Sequence, residues 1–279
     1  MNHIYKETYD LERSLYNLKD TVIDSCSFMG PRDGESVLKE CRNIIVNNSS
    51  FSLRYPLWHA QKFEVHNSSF DSKSRAPLWY CFSGVVEHST IRSVKAIREC
   101  EDINIINSDI ISPEFGWRNK SLKIINSKIE SEYCLFESKD MEIIHLDMKG
   151  KYSFQYVENV VIRDSNLDTK DAFWHSKNVT VINSVIKGEY LGWFSEGLTL
   201  INCKIIGTQP LCYCKNLKII DSEMINCDLS FEYSEVDASI KGYIESIKNP
   251  KSGKIVVDKV GSIIKGDAVV PCSAQIIFR

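Results

Sequence analysis

The stretch that decides the fold reads INIINSDI at residues 103–110. It returns as LKIINSKI (122–129), MEIIHLDM (141–148), VVIRDSNL (160–167), VTVINSVI (179–186), LTLINCKI (198–205) and LKIIDSEM (217–224). The sixth residues are Ser108, Ser127, Leu146, Ser165, Ser184, Cys203 and Ser222, and every step is 19 residues. A fixed period of this length marks a solenoid, in which one supersecondary unit stacks on the next. The register runs back through Ser89, Ser68, Ser49 and Cys26, and forward Val236 and Ile255 keep the same step. Four extra residues enter near MGPRDGES and two near DSKSRAP. Both stretches have the polar, Gly/Pro/Ser-rich composition of loops set into a turn. One repeat therefore spans the chain, which reads as a single domain over 1–279. Coils occupy 15–263, with caps at 1–14 and 264–279.

Each column of the repeat has its own chemistry. Val46, Val65, Val86, Ile105, Ile124, Ile143, Ile162, Val181, Leu200, Ile219 and Val257 form one apolar stack. The residue two earlier is mostly apolar as well, with a mixed column between, which is the pattern of a short strand with one buried face. A second inward stack follows at Phe51, Phe70, Ile91, Ile110, Ile129, Met148, Leu167, Ile186, Ile205 and Met224. Between the stacks stand Asn67, Asn107, Asn126, Asn183 and Asn202, with Asp164 and Asp221 substituting. Asn and Asp tolerate the left-handed backbone of a sharp corner, and piled amides can bond from coil to coil. Ile106, Ile125, Ile144, Ile182, Ile201 and Ile220 directly follow an inward residue. Either the chain kinks at the Asn corner or an apolar stripe lies exposed, ready for self-association. The architecture expected is an all-β, single-stranded right-handed parallel β-helix of about twelve coils. A leucine-rich repeat would show LxxLxLxxN spacing, and a left-handed hexapeptide helix a period that 19 does not contain.

The other half of each coil is aromatic: PLWHA (56–60), PLWYC (77–81), FGWRN (115–119), AFWHS (172–176) and LGWFS (191–195). Its middle column holds Trp58, Trp79, Trp117, Trp174 and Trp193, with Arg98, Phe136, Gln155, Cys212 and Phe231 in the remaining coils. Strict alternation back from the small column (Cys41, Ala60, Cys81, Cys100) turns the tryptophans inward. That choice buries Arg98 without an evident partner, a costly arrangement. If the aliphatic column before them is the buried one, the tryptophans form an outward ladder on which a saccharide polymer can stack, one ring per sugar face. The sequence leaves the two readings open. The ligand-binding candidates are Trp58, Trp79, Trp117, Trp174 and Trp193, with Tyr80, Tyr156, His59 and His175 beside them. Glu99, Arg118 and Glu137 occupy equivalent positions on consecutive coils, so the two carboxylates stand about 9.6 Å apart by strand spacing. This lies near the separation used by inverting glycosidases, and makes the three the catalytic candidates. An acid–base–acid ladder of ion pairs fits the same spacing.

Composition narrows the partners. A net charge of −3 without a basic run speaks against a nucleic-acid binder. No stretch approaches a membrane span, and the N-terminal MNHIYKETYDLERSLYNLKD lacks an apolar signal core, so a reduced, cytoplasmic chain is expected. The ten cysteines show no paired CxxC units of zinc spacing. Cys41, Cys81, Cys100 and Cys214 fall in one inward column, where a thiol is a compact apolar filler. No metal and no cofactor is expected. The partners that remain are a saccharide and a second copy of the chain.

The VxVxNSxI strands with an asparagine corner resemble the pectin-lyase-like β-helix superfamily. APLWY (76–80), KAIREC (95–100), EFGW (114–117) and SEYCLFES (131–138) are similar to a bacterial domain-of-unknown-function family, number 3737. The narrower resemblance covers nearly the whole chain and implies the fold alone. The wider one implies polysaccharide chemistry, but the NTD…DD…HG series and the clustered calcium-binding aspartates of its enzymes are not matched.

Overall fold

The computed structural model describes residues 1–30 and 35–279. The insertion near MGPRDGES falls largely on 31–34, outside the described residues. The chain is all-β, a right-handed parallel β-helix of about fourteen turns with a repeat near 19 residues. The expected number was about twelve, and the difference arises at both ends. Asn2–Tyr5 pairs in parallel with Lys19–Asp24, and Thr8–Tyr9 with Ser27–Met29. Gln275–Phe278 pairs with Ser252–Ile264. Contacts divide the chain into two compact units, Met1–Glu142 and Ile143–Arg279.

In the first unit, Arg42–Asn47, Gln61–His66, Phe82–Glu87, Glu101–Ile106 and Lys120–Ile125 stack in parallel with Val46, Val65, Val86, Ile105 and Ile124 in register. All five side chains are fully buried. In the second unit Ile162, Val181, Leu200 and Ile219 are aligned in the same way. The other inward stack brings identical side chains together: the Phe51 and Phe70 rings lie 4.5 Å apart and 5° from parallel. Burying such a ring contributes roughly 1.5–3 kcal/mol, so the piled columns are the main source of stability. The serine column closes the backbone accounting. Ser68, Ser89, Ser108 and Ser127 are buried. Each hydroxyl donates to the carbonyl two residues earlier and accepts the N–H of the serine one coil before, as in Ser89 N to Ser108 Oγ at 3.2 Å. In the second unit Leu146 N meets Ser165 Oγ, and Ser165 N meets Ser184 Oγ, both at 3.0 Å.

The corners settle which side chains face out. A strand alternates sides, so two outward residues in succession require a break in the backbone. At each corner a buried residue is followed by two outward ones, and the second is left-handed. Cys100, Glu101, Asp102 and Ile103 make one such corner, with Asp102 at φ 57°, and Ile105, Ile106, Asn107 and Ser108 another, with Asn107 at φ 47°. The kink at the asparagine therefore coexists with a half-exposed isoleucine stripe, because the left-handed residue is one position after the isoleucine. Side-chain amides bond across coils, as in Asn202 to Asn183 at 2.9 Å and Asn183 to Asp164 at 3.2 Å. At the DSKSRAP insertion the Asp71 carboxylate accepts the N–H of Lys73 at 2.9 Å and closes a turn.

Candidate functional site

The third corner carries the aromatic half-coil. Leu57, Leu78, Ile97, Leu135, Phe154, Phe173 and Leu211 are fully buried, and in the next column all five tryptophans are partly exposed. The tryptophans face outward. Alternation misleads here because the following residue is left-handed: His59, Tyr80, Glu99, Arg118, Glu137, Tyr156, His175, Phe194, Tyr213 and Tyr233 all lie at φ 51–59°. From Gly116 onward the residue before the outward one is left-handed too, at Gly116, Leu135, Phe154, Phe173, Gly192 and Leu211 (φ 58–74°). These backbone reversals let the small column be buried while the tryptophans are not. Arg98 stays near the surface, donating to Glu114 at 3.1 Å with its guanidinium 4.8 Å from the Trp117 ring.

This corner is chemically unlike the other two. Their left-handed positions hold mostly Asn, Asp and Ser, as at Asn107, Asn126, Asp140, Asn159 and Asn178, residue types that bear the conformation at low cost. Bulky side chains are held there against roughly 1–3 kcal/mol of backbone strain each. Part of that is recovered by contacts between the rings, worth about 0.5–1.5 kcal/mol per pair.

In the second unit these rings form a continuous stack. Centroids are 5.0 Å apart between Tyr156 and His175, 5.0 Å between His175 and Phe194, and 4.8 Å between Phe194 and Tyr213, with interplanar angles of 8–11°. Tyr156 is 47% and Phe194 44% exposed. Trp174 and Trp193 stack beside them at 5.4 Å and 5°, their indole N–H groups donating to the carbonyls of Tyr190 and Gln209 at 2.7 and 2.8 Å. In the first unit His59 and Tyr80 stack at 5.1 Å, and Trp58 and Trp79 at 5.9 Å. Because the faces are turned toward one another, solvent meets ring edges, tyrosine hydroxyls and histidine nitrogens. This differs from the expected arrangement of one ring face per sugar: side chains repeated at strand spacing are close enough to cover each other's faces.

Glu99, Arg118 and Glu137 fall together on adjacent coils of the first unit. Arg118 Nε donates to Glu137 Oε2 at 2.6 Å, with side-chain exposures of 53% and 41%. That hydrogen bond, with the Glu137 charge behind it, raises the Arg118 pKa above its usual range. Glu99 approaches Arg98 Nε at 3.7 Å. Arg118 and Glu137 thus form an exposed ion pair, and Glu99 lies beside Arg98.

Residues 2–277 match the model of the family "Protein of unknown function (DUF3737)". The chain belongs to that family. No curated protein matches this DUF3737 chain. Among solved structures it is similar in fold to PfbA, a surface adhesin of Streptococcus pneumoniae, at 9% identity over 86% of this chain and 82% of that one, with TM-score 0.53. It is also similar to the catalytic domain of a GH87 α-1,3-glucanase in complex with tetrasaccharides (10% identity, 99% and 64% covered, TM-score 0.41). The periplasmic alginate epimerase AlgG is similar as well (10% identity, 94% and 76% covered, TM-score 0.30). At these identities the likeness is one of fold.

Nine of the ten cysteines of the DUF3737 chain are buried and none is bridged, with Cys272 half-exposed. Desolvation pushes the Cys41 thiol up to about 12 and Cys214 to about 11, as befits packing groups. Among the described residues no group of three or more His, Cys, Asp or Glu is placed to hold a metal ion, and no helix is long and apolar enough to cross a membrane. Phe194, Tyr213 and Tyr233 complete the ring ladder but were not among the sequence candidates. The 19-residue step that marked Tyr156 and His175 also reaches Phe194 and Tyr213, whereas Tyr233 stands one residue beyond it.

Proposed function

We propose that this DUF3737 chain is a non-catalytic carbohydrate-binding β-helix whose ligand face is the left-handed aromatic column. One observation carries the reading: the third corner keeps left-handed aromatic side chains at His59, Tyr80, Tyr156, His175, Phe194, Tyr213 and Tyr233, where the other corners use mostly Asn, Asp and Ser. Strain maintained in register over several coils points to a use of the surface beyond turning the chain. Tyr156, His175, Phe194 and Tyr213 offer apolar edges interleaved with hydrogen-bonding tips, a pattern suited to the alternating C–H and hydroxyl surface of a sugar chain. Trp174 and Trp193 form the adjoining wall, and His59, Tyr80, Trp58, Trp79 and Trp117 a smaller counterpart in the first unit. Glu99, Arg118 and Glu137 serve as structural charge pairs in this reading, since Arg118 engages the carboxylate that hydrolysis would require as acid or base.

A glycan array, followed by titration of tryptophan fluorescence with soluble hits, tests the proposal. Binding that weakens in Phe194→Ala and Tyr213→Ala supports it, and the absence of binding to any saccharide removes it. Reducing-end release by wild type, lost in Glu99→Gln or Glu137→Gln, would restore the catalytic reading. A second reading rests on the isoleucine stripe. Ile220 is 44% exposed beyond the half-exposed Ile182 and Ile201, which suits a homo-oligomer joined along that edge. Light scattering across a concentration series tests it, and a strict monomer rejects it.

A further inference from the structure

The spacing and the border of the ring ladder say more about the ligand. We infer that the second unit selects a neutral glycan held extended along the ladder with one sugar per coil, at least four sugars long. This rests on the saccharide reading above and narrows it.

Two observations carry the inference. The first is register. Tyr156, His175, Phe194 and Tyr213 repeat every 4.8–5.0 Å with planes within 11° of one another, and the next ring, Tyr233, is displaced to 5.9 Å and tilted 40°. That repeat is close to the rise per sugar of a fully extended, β-linked chain. Such a chain can set one sugar against each of four successive rings, alternate sugars presenting opposite edges, whereas a coiled α-linked chain drifts out of step after one or two. Because ring faces are covered by neighbouring rings, contact comes from edges and polar tips repeated once per coil. Affinity is therefore spread over many weak, equal contacts.

The second observation is charge. Recognition of a polyanion needs cations free to meet carboxylates. Along this border Lys170 meets Glu189 at 2.7 Å, Lys251 meets Glu235 at 2.7 Å, and Lys248 lies between Glu232 at 3.0 Å and Asp267 at 3.1 Å. Lys177 and Lys215 flank Glu196 in register on the coils to either side. The lysines named here are matched by an equal number of carboxylates, and at Lys170, Lys248 and Lys251 an acidic polymer would have to displace the carboxylate already bound.

The test uses the full chain and three oligosaccharide series of two to eight units: β-1,4-glucan, α-1,4-glucan and oligogalacturonate. Affinities are read by calorimetry at low and high salt. For the β-linked series, binding should tighten roughly threefold per added unit, the scale of one aromatic contact, and level off at four to five units. Salt should have little effect. Phe194→Ala, which divides the ladder in two, should move the plateau to shorter chains, with circular dichroism confirming the fold. Tighter, salt-sensitive binding of oligogalacturonate overturns the inference while leaving saccharide binding intact. So does equal affinity for the α-linked series, or affinity independent of length. Failure of all three series to bind overturns this inference, and the glycan array then decides the proposed function separately.

Discussion

Replacing Ser108 with alanine examines the serine column, the device that joins coil to coil in this repeat. Ser108 is 4% exposed. Its Oγ accepts the N–H of Ser89 at 3.2 Å and donates to the carbonyl of Ile106 at 2.8 Å. Alanine removes both bonds, but the consequences differ. The Ile106 carbonyl still receives the N–H of His88 at 3.1 Å, whereas the buried Ser89 N–H is left without an acceptor. An orphaned buried donor costs about 1–3 kcal/mol, so the loss of stability should fall in that range. Ser108→Cys should lose less. Cys203 and Cys26 occupy the same column, their thiols donating to carbonyls at 3.3 and 3.4 Å, but sulfur is a weak acceptor for the N–H. Urea denaturation followed by circular dichroism reads the effect as a fall in midpoint at constant slope. Amide exchange should also accelerate at Ser89 before its neighbours, since a coil touches only the coils beside it. Ser72→Ala, at an exposed turn, is the control. A Ser108→Ala protein indistinguishable from that control in both midpoint and Ser89 exchange would refute the account of the column.

Gly84 lies opposite Phe63 in the stack, and a Cβ built there falls 2.2 Å from the ring. Gly84→Ala should cost about 1–3 kcal/mol by overpacking, and Phe63→Leu should restore much of it in the double mutant. The Asp267 carboxyl is held below its usual range by the Asn249 amide and the Lys248 ammonium. A depressed carboxyl stabilises the fold above its unfolded pKa and ceases to do so as pH falls through the folded value. Hydrogen exchange should therefore show residues 265–279 loosening on acidification below the ordinary carboxylate range, and Asp267→Asn should remove that dependence. Under native conditions a thiol reagent should modify the half-exposed Cys272 first, the remaining nine thiols reacting only on unfolding. Rapid native labelling of Cys81 or Cys214 would contradict their role as filler.

Most of the architecture was legible because a solenoid writes its geometry into a period. Val86, Ile105 and Ile124 recur at the same step because each must cover the one before it, and Asn107, Asn126 and Asn183 recur because a corner needs a left-handed residue. The turn at DSKSRAP and the inward thiols followed from composition and column. The candidate site was legible only as a list of residues. Trp117 and Arg118 could be assigned to one column each, and Glu99, Arg118 and Glu137 to one edge, without knowing which way the column faced.

The amino-acid sequence by itself determined the repeat, the buried stacks and the residues that share an azimuth, since these depend on spacing alone. Only the tertiary structure decided that the tryptophans face solvent and that ring faces cover one another. The direction of a side chain depends on backbone dihedrals. At the third corner the left-handed residues are mostly Tyr, Phe, Leu, Arg, Glu and His, types that carry little signal of that conformation. Whether a ring face is open depends on the coil stacked next to it, at a distance no single repeat contains.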